Sequence, residues 1–188
     1  DLRGDASDRS SLRQNLGDHV DTPAFARAAE LLLRAATSAP DAGRPMYAAL
    51  RAIPIPEEVV ARLFHAASLL REHRGDGHIA ALMIEGVGRL ECHVLLALAM
   101  DMPAEKFGRI HHLPAAQLAA VIDGMRDRGL IGDDGWLSEQ GRAVKQRVEA
   151  RTDDLAAKPY ESLEPGELDE LMATLEPLAA LLLAAQDE

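Results

Sequence analysis

The sequence predicts a mainly α protein, with a helical N-terminal body followed by shorter helices and one short β-hairpin. Aromatic residues make up only 3% of the 188, while alanine and leucine, both strong helix formers, dominate. Apolar residues recur at three- and four-residue spacing along most of the chain. The single hairpin-like turn, Gly132-Asp133-Asp134-Gly135, stands between two short apolar pairs, Leu130-Ile131 and Trp136-Leu137.

From Asp1 to Asp18 the chain is polar, with Leu2, Leu12 and Leu16 as sparse apolar points, which predicts a weakly packed, frayed helix. Asp21-Thr22-Pro23 is a helix start, a capping side chain followed by a proline in the first turn. Phe25, Ala28, Ala29, Leu32 and Ala36 then repeat at helical spacing up to Ser38. Pro40 to Gly43 breaks the chain, and Arg44-Pro45 opens a short helix through Arg51. Pro54 and Pro56 end it. Glu57 and Glu58 fall in the first turn of the next helix, where carboxylates suit the dipole, and Val60, Leu63, Phe64, Ala67 and Leu70 form its stripe.

The stretch from Leu70 to Met100 organises the rest. It opens on a charged run, Arg71-Glu72-His73-Arg74-Gly75-Asp76-Gly77-His78, in which Gly75-Asp76-Gly77 predicts a turn between two helices. Beyond it the chain is apolar on nearly every side, interrupted only by Glu85, Arg89, Glu91 and His93, which predicts a long buried helix. Short helices follow at Pro103–His111 and Pro114–Arg128, with Gly129 closing the second. After the hairpin, Ser138 caps a long helix to about Leu155. Lys158-Pro159-Tyr160 breaks it, and a last helix from Pro165 to about Ala185 carries Leu168, Leu171, Leu175, Leu178 and Leu182 on one stripe. That stripe predicts an association surface and a homodimer. The expected division is residues 1–77, 78–158 and 159–188.

Composition narrows the function classes. The formal charge of −11 argues against broad, non-specific affinity for nucleic acid. Between Met102 and Lys158, however, nine Lys/Arg meet nine Asp/Glu, so the whole excess lies elsewhere. The single cysteine, Cys92, gives no disulfide framework and suits a reducing cytoplasm. The run Leu90–Met100 is too short to span a membrane. A start at Asp1 rather than methionine predicts a processed or partial product.

The order of helices and hairpin resembles the winged helix-turn-helix of MarR-type regulators from about Leu90 onward. The matching points are Arg128-Gly129-Leu130 and Leu137-Ser138-x-x-Gly141, within Gly124–Val144. The resemblance implies that the helix from Pro114 reads DNA and that the hairpin is a wing. Of the side chains at the start of that helix only Gln117 can make a bidentate contact to an adenine edge; the rest are Pro114 and alanines. Arg109, His111, His112, Arg142 and Lys145 are candidates to hold phosphates. The wing tip, Asp133-Asp134, would repel them.

The run from Leu70 to His78 also resembles the signature of an actinobacterial helix-turn-helix family, the SalK-like proteins. Gly43-Arg44-Pro45 with Tyr47 and Glu149-x-x-Thr152-Asp153 add to it, so that the likeness covers nearly the whole chain. It implies a further N-terminal helical part, absent or shortened in this sequence. Arg71, Glu72, His73, Arg74, Asp76 and His78, with Glu85 one helical face further on, could hold an anionic or hydrogen-bonding ligand. The same charges could equally tie a helix junction together with no ligand at all.

No metal-ligand spacing, catalytic triad, phosphate loop or nucleotide fingerprint occurs, and no cofactor is indicated. The sequence therefore favours a ligand-responsive winged-helix transcriptional regulator whose partners are double-stranded DNA and a small molecule. A small-molecule-binding protein or enzyme with a vestigial winged helix is the alternative, and a protein-interaction module remains open.

Overall fold

The structure, a computed structural model, describes residues 16–184; most of the frayed helix expected over Asp1–Asp18, with Leu2 and Leu12, lies outside that range, as does Ala185. The described residues contain the helices α1 (Pro23–Ser38), α2 (Pro45–Arg51), α3 (Val59–Ile84), α4 (Glu91–Ala99), α5 (Ala115–Asp127), α6 (Glu139–Ala157) and α7 (Pro165–Ala184). Single 3-10 turns occur at Gly17–Asp21, Ala104–Lys106 and Lys158–Ser162. Contacts divide the chain into two units. One is built from the segment ending at Asp76 and the segment beginning at Ala156; the other is Gly77–Leu155.

In the first unit α1 starts where Thr22 accepts a hydrogen bond from Phe25 N at 3.2 Å, with Pro23 behind it. Its buried face is Phe25, Ala28, Ala29, Leu32 and Ala36, joined by Leu31 and Ala35. The small alanines let neighbouring helices approach closely. Leu171 and Leu178 of α7 are buried in the same core, with Leu168, Leu175 and Leu182 packed against it. Arg27 pairs with Glu167 at 2.8 Å, and Arg34 pairs with the same carboxylate. The leucine stripe that suggests an association surface is thus packed inside its own unit.

The turn expected at Gly75-Asp76-Gly77 does not form: α3 runs unbroken from Val59 to Ile84. Two glycines inside a helix cost about 1 kcal/mol each relative to alanine. Packing and a displaced cap offset that cost. Asp76 is not the cap of its own helix; its carboxylate accepts from Tyr47 N at 2.9 Å, in the first turn of α2. The N-cap residue of α2, Arg44, supplies no side-chain acceptor, so Asp76 satisfies an orphan donor there and favours the helix dipole.

The long buried helix expected up to Met100 is two helices. Gly86 takes φ +65° after α3. Val87 N then bonds Leu82 O at 2.9 Å and Gly86 N bonds Met83 O at 3.1 Å, a Schellman closure with Val87 buried beyond it. Glu91 restarts the chain by accepting from Gly88 N at 2.7 Å. The helix expected over Pro103–His111 shrinks to the 3-10 turn Ala104–Lys106 and irregular turns. Gly108 lies in the middle of that stretch, and four backbone bonds of the i→i+3 type run between Pro103 and Leu113.

The wing is the largest correction. Among the described residues there is no β-strand, and the expected hairpin is one antiparallel bridge, Ile131 to Leu137. Gly132 N bonds Trp136 O at 2.8 Å and Ser138 N bonds Leu130 O at 3.1 Å. The ladder has no room to grow, because α5 closes on Gly129 (φ +73°) at one end and Ser138 caps α6 at the other.

Candidate functional site

Two sequence features far apart in the chain meet in the first unit. Tyr47 and His73 are both fully buried, their rings edge to face at 5.1 Å. Arg44, only 7% exposed, donates to His73 O. Neither ring nitrogen of His73 has a hydrogen-bond partner. Burial first, then the nearby Arg44 guanidinium, pushes this imidazole down to about 4, against a smaller opposing pull from Asp76. His73 is therefore neutral at pH 7. The Tyr47 hydroxyl donates to backbone carbonyls at the end of α1, with Ala36 O at 2.7 Å and Ala39 O at 3.1 Å. The arrangement binds α1, α2 and α3 to one another. Arg71 is exposed and paired with Glu72 at 2.6 Å, and Arg74 is also exposed.

In the second unit His78 Nδ1 lies 3.0 Å from the hydroxyl of Thr152, which is fully buried. That hydroxyl donates its hydrogen to Val148 O at 2.7 Å, so it accepts from His78, which carries its proton on Nδ1. Glu85, its side chain 9% exposed, pairs with Arg147 at 2.7 Å and with Arg151. Both contacts fasten the last turn of α3 to α6.

Between the end of α3, α4 and α6 lies a cavity of about 590 Å³, within the range that takes a drug-sized molecule. Leu82, Val87, Leu95, Leu96 and Val148 give it apolar walls. Its polar groups are His78, Arg89, Cys92, His93, Arg109, Lys145 and Glu149. Burial lowers the His93 imidazole, and Arg109 and Arg89 lower it further. Burial raises the Cys92 thiol, while the same two arginines pull the other way. Cys92 Sγ lies 3.1 Å from Arg89 O, and His93 is tilted against Phe107 at 6.4 Å. Cys92 and His93 are therefore neutral side chains beside two guanidinium groups. Among the described residues no group of three or more His, Cys, Asp or Glu side chains could hold a metal ion.

The helix expected to read DNA, α5, packs Leu118 and Met125 into the core of this unit, with Val121 and Ile122 behind them. Its first turns face solvent: Ala115, Ala116, Gln117, Ala119 and Ala120 are all exposed. Asp133 and Asp134, in the turn where a wing tip is expected, are exposed, and Asp134 holds Trp136 N at 3.0 Å. Arg142 is turned back onto Leu137 O, and Lys145 onto Glu149. His111 holds Gly108 O at 2.6 Å with the exposed His112 ring beside it.

A helix-turn-helix family profile matches residues 2–187, nearly the full length. The chain belongs to this helix-turn-helix family. No curated protein and no solved structure matches it significantly. Within this family member, the residues singled out in the sequence separate in space. His73 and Asp76 join Arg44 and Tyr47, whereas His78 shares a cavity with Arg109 and Lys145, two residues the sequence assigns to phosphates. Cys92 and His93 are cavity residues the sequence did not single out as ligand contacts. Read as one helix, the stretch puts Cys92 fourteen residues beyond His78 and on nearly the same face, while His93 stands out only as an interruption of the apolar run; the break at Gly86 separates α3 from α4.

Proposed function

We propose that this helix-turn-helix protein is a ligand-responsive transcriptional regulator that binds double-stranded DNA through α5 and senses a small molecule in the cavity between α3, α4 and α6. The observation that carries the reading is the family membership over nearly the whole chain, joined to an α5 whose packed face is apolar and whose first turns are bare. The small-molecule side of the reading is supported by the cavity, one wall of which is α4. A homodimer belongs to the same reading, with Met172, Leu181 and Leu183, exposed on α7, as candidate contacts.

DNA binding through this surface is expected to be weak, strongly salt-dependent and poorly selective. Gln117→Ala should cost about 1–3 kcal/mol of discrimination at one base pair. Replacing Asp133 and Asp134 together by lysine should tighten binding to any duplex, since two repulsive charges become attractive ones. Fluorescence anisotropy with a labelled duplex at low salt, on wild type and the double-lysine variant, is the deciding measurement. Binding by both supports the regulator. Failure of both overturns it. Binding by the variant alone favours the alternative in which the protein works through its small-molecule site and the winged helix is vestigial.

A further inference from the structure

The charge inside the cavity goes further than its shape. Three cations border it, Arg89, Arg109 and Lys145, against one carboxylate, Glu149, which Lys145 already engages. Among the described residues Arg109 has no ion-pair partner and Arg89 has none either. Both guanidinium groups are exposed, so neither needs a partner to be stable; both line the cavity and act on Cys92 and His93, and both are free to take an anion that enters it. The two imidazoles do not fill that role. His78 is held by Thr152, and His93 is kept neutral by burial and by the same arginines.

We propose that the cavity binds an amphipathic organic anion, its carboxylate-like head held by Arg109 and Arg89 and its hydrocarbon body lying among Leu82, Leu95, Leu96 and Val148. This rests on the cavity being the sensing site and names the class of molecule sensed. The apolar body accounts for the walls, and the anionic head accounts for the guanidinium pair. A neutral ligand would gain nothing from those charges, and a cationic one would meet repulsion. Arginine suits the head group because its planar fork can take a carboxylate with two parallel hydrogen bonds.

The test uses three eight-carbon probes, octanoate, octan-1-ol and octylammonium, with two readouts on the full chain. Isothermal titration gives affinity. The second readout is the rate at which iodoacetamide alkylates Cys92, the single cysteine and a wall of the cavity. Octanoate is expected to bind more tightly than the other two and to slow alkylation. Arg109→Gln, at an exposed position where folding is not at stake, should weaken octanoate by about tenfold or more and leave octan-1-ol unchanged. Equal binding of octanoate and octan-1-ol, with no effect of Arg109→Gln, overturns the anion assignment while leaving the sensing cavity standing. Octanoate binding that does not protect Cys92 puts the anion elsewhere and overturns the proposal. Failure of all three probes to bind or protect at millimolar concentration overturns the cavity as a sensing site as well.

Discussion

Gly141→Ala is expected to destabilise the second unit by about 3–5 kcal/mol, the range of severe packing and backbone clashes. Gly141 is buried in the first turn of α6, where its N–H is held by the Ser138 hydroxyl at 3.0 Å. That hydroxyl in turn donates to Gly129 O at 2.6 Å. The helix therefore sits directly on the backbone that follows α5 at Gly129 and Leu130. A Cβ at Gly141 would collide with the carbonyl oxygen of Leu130 and come within 3.1 Å of its carbonyl carbon. Neither is the end of a flexible side chain, so relief requires the whole helix to move. Gly124→Ala is the matched control. Its added Cβ meets nothing within 4 Å, and inside α5 the substitution should stabilise by up to about 1 kcal/mol. Urea denaturation followed by circular dichroism on both variants measures the difference. Equal midpoints for the two would show that α6 does not rest on Leu130 as described.

Acid should weaken the first unit through His73, and the sign follows from the direction of its shift. Folding lowers this imidazole from its ordinary 6.5 to about 4, so the unfolded chain binds the proton more readily. The stabilisation is fully present above about pH 6.5 and is lost as the pH falls towards 4. A shift of that size corresponds to roughly 3 kcal/mol at 1.36 kcal/mol per unit. His65, also lowered by burial, pulls the same way, and carboxylates titrate in the same range. The informative quantity is therefore the difference between wild type and His73→Leu. The variant removes two buried nitrogens that have no partner, so its stability near neutrality should be unchanged or raised. Between pH 7.5 and 4.5 it should lose about 2–3 kcal/mol less than wild type. Parallel pH profiles would mean that His73 is solvated, or bonded, in a way its buried position does not allow.

Much of the helical framework was legible in the sequence because its signals are local. Thr22-Pro23 starts α1, Gly129 closes α5, Ser138 caps α6, and the leucines of α7 lie on one face of a helix whatever they pack against. Tertiary structure decided everything that depends on a competitor for the same groups. Gly75-Asp76-Gly77 has the composition of a turn, but Asp76 finds the N–H of Tyr47, and α3 continues through two glycines that would end an isolated helix. Leu130-Ile131 and Trp136-Leu137 have the composition of hairpin arms, but helix ends claim the residues on both sides, and one bridge is left.

The candidate site divides in the same way. Its residue types were visible: His78, Arg109 and Lys145 stand out in the sequence as polar groups among apolar ones. Their common address was not, because it depends on Gly86 taking a left-handed conformation that ends α3 and on residues from α3, α4 and α6 meeting around one cavity. Sequence periodicity specifies which face of a helix is apolar. Which neighbour that face meets, and which charges are left over at the seam, is settled only when helices distant in the chain compete for the same surface.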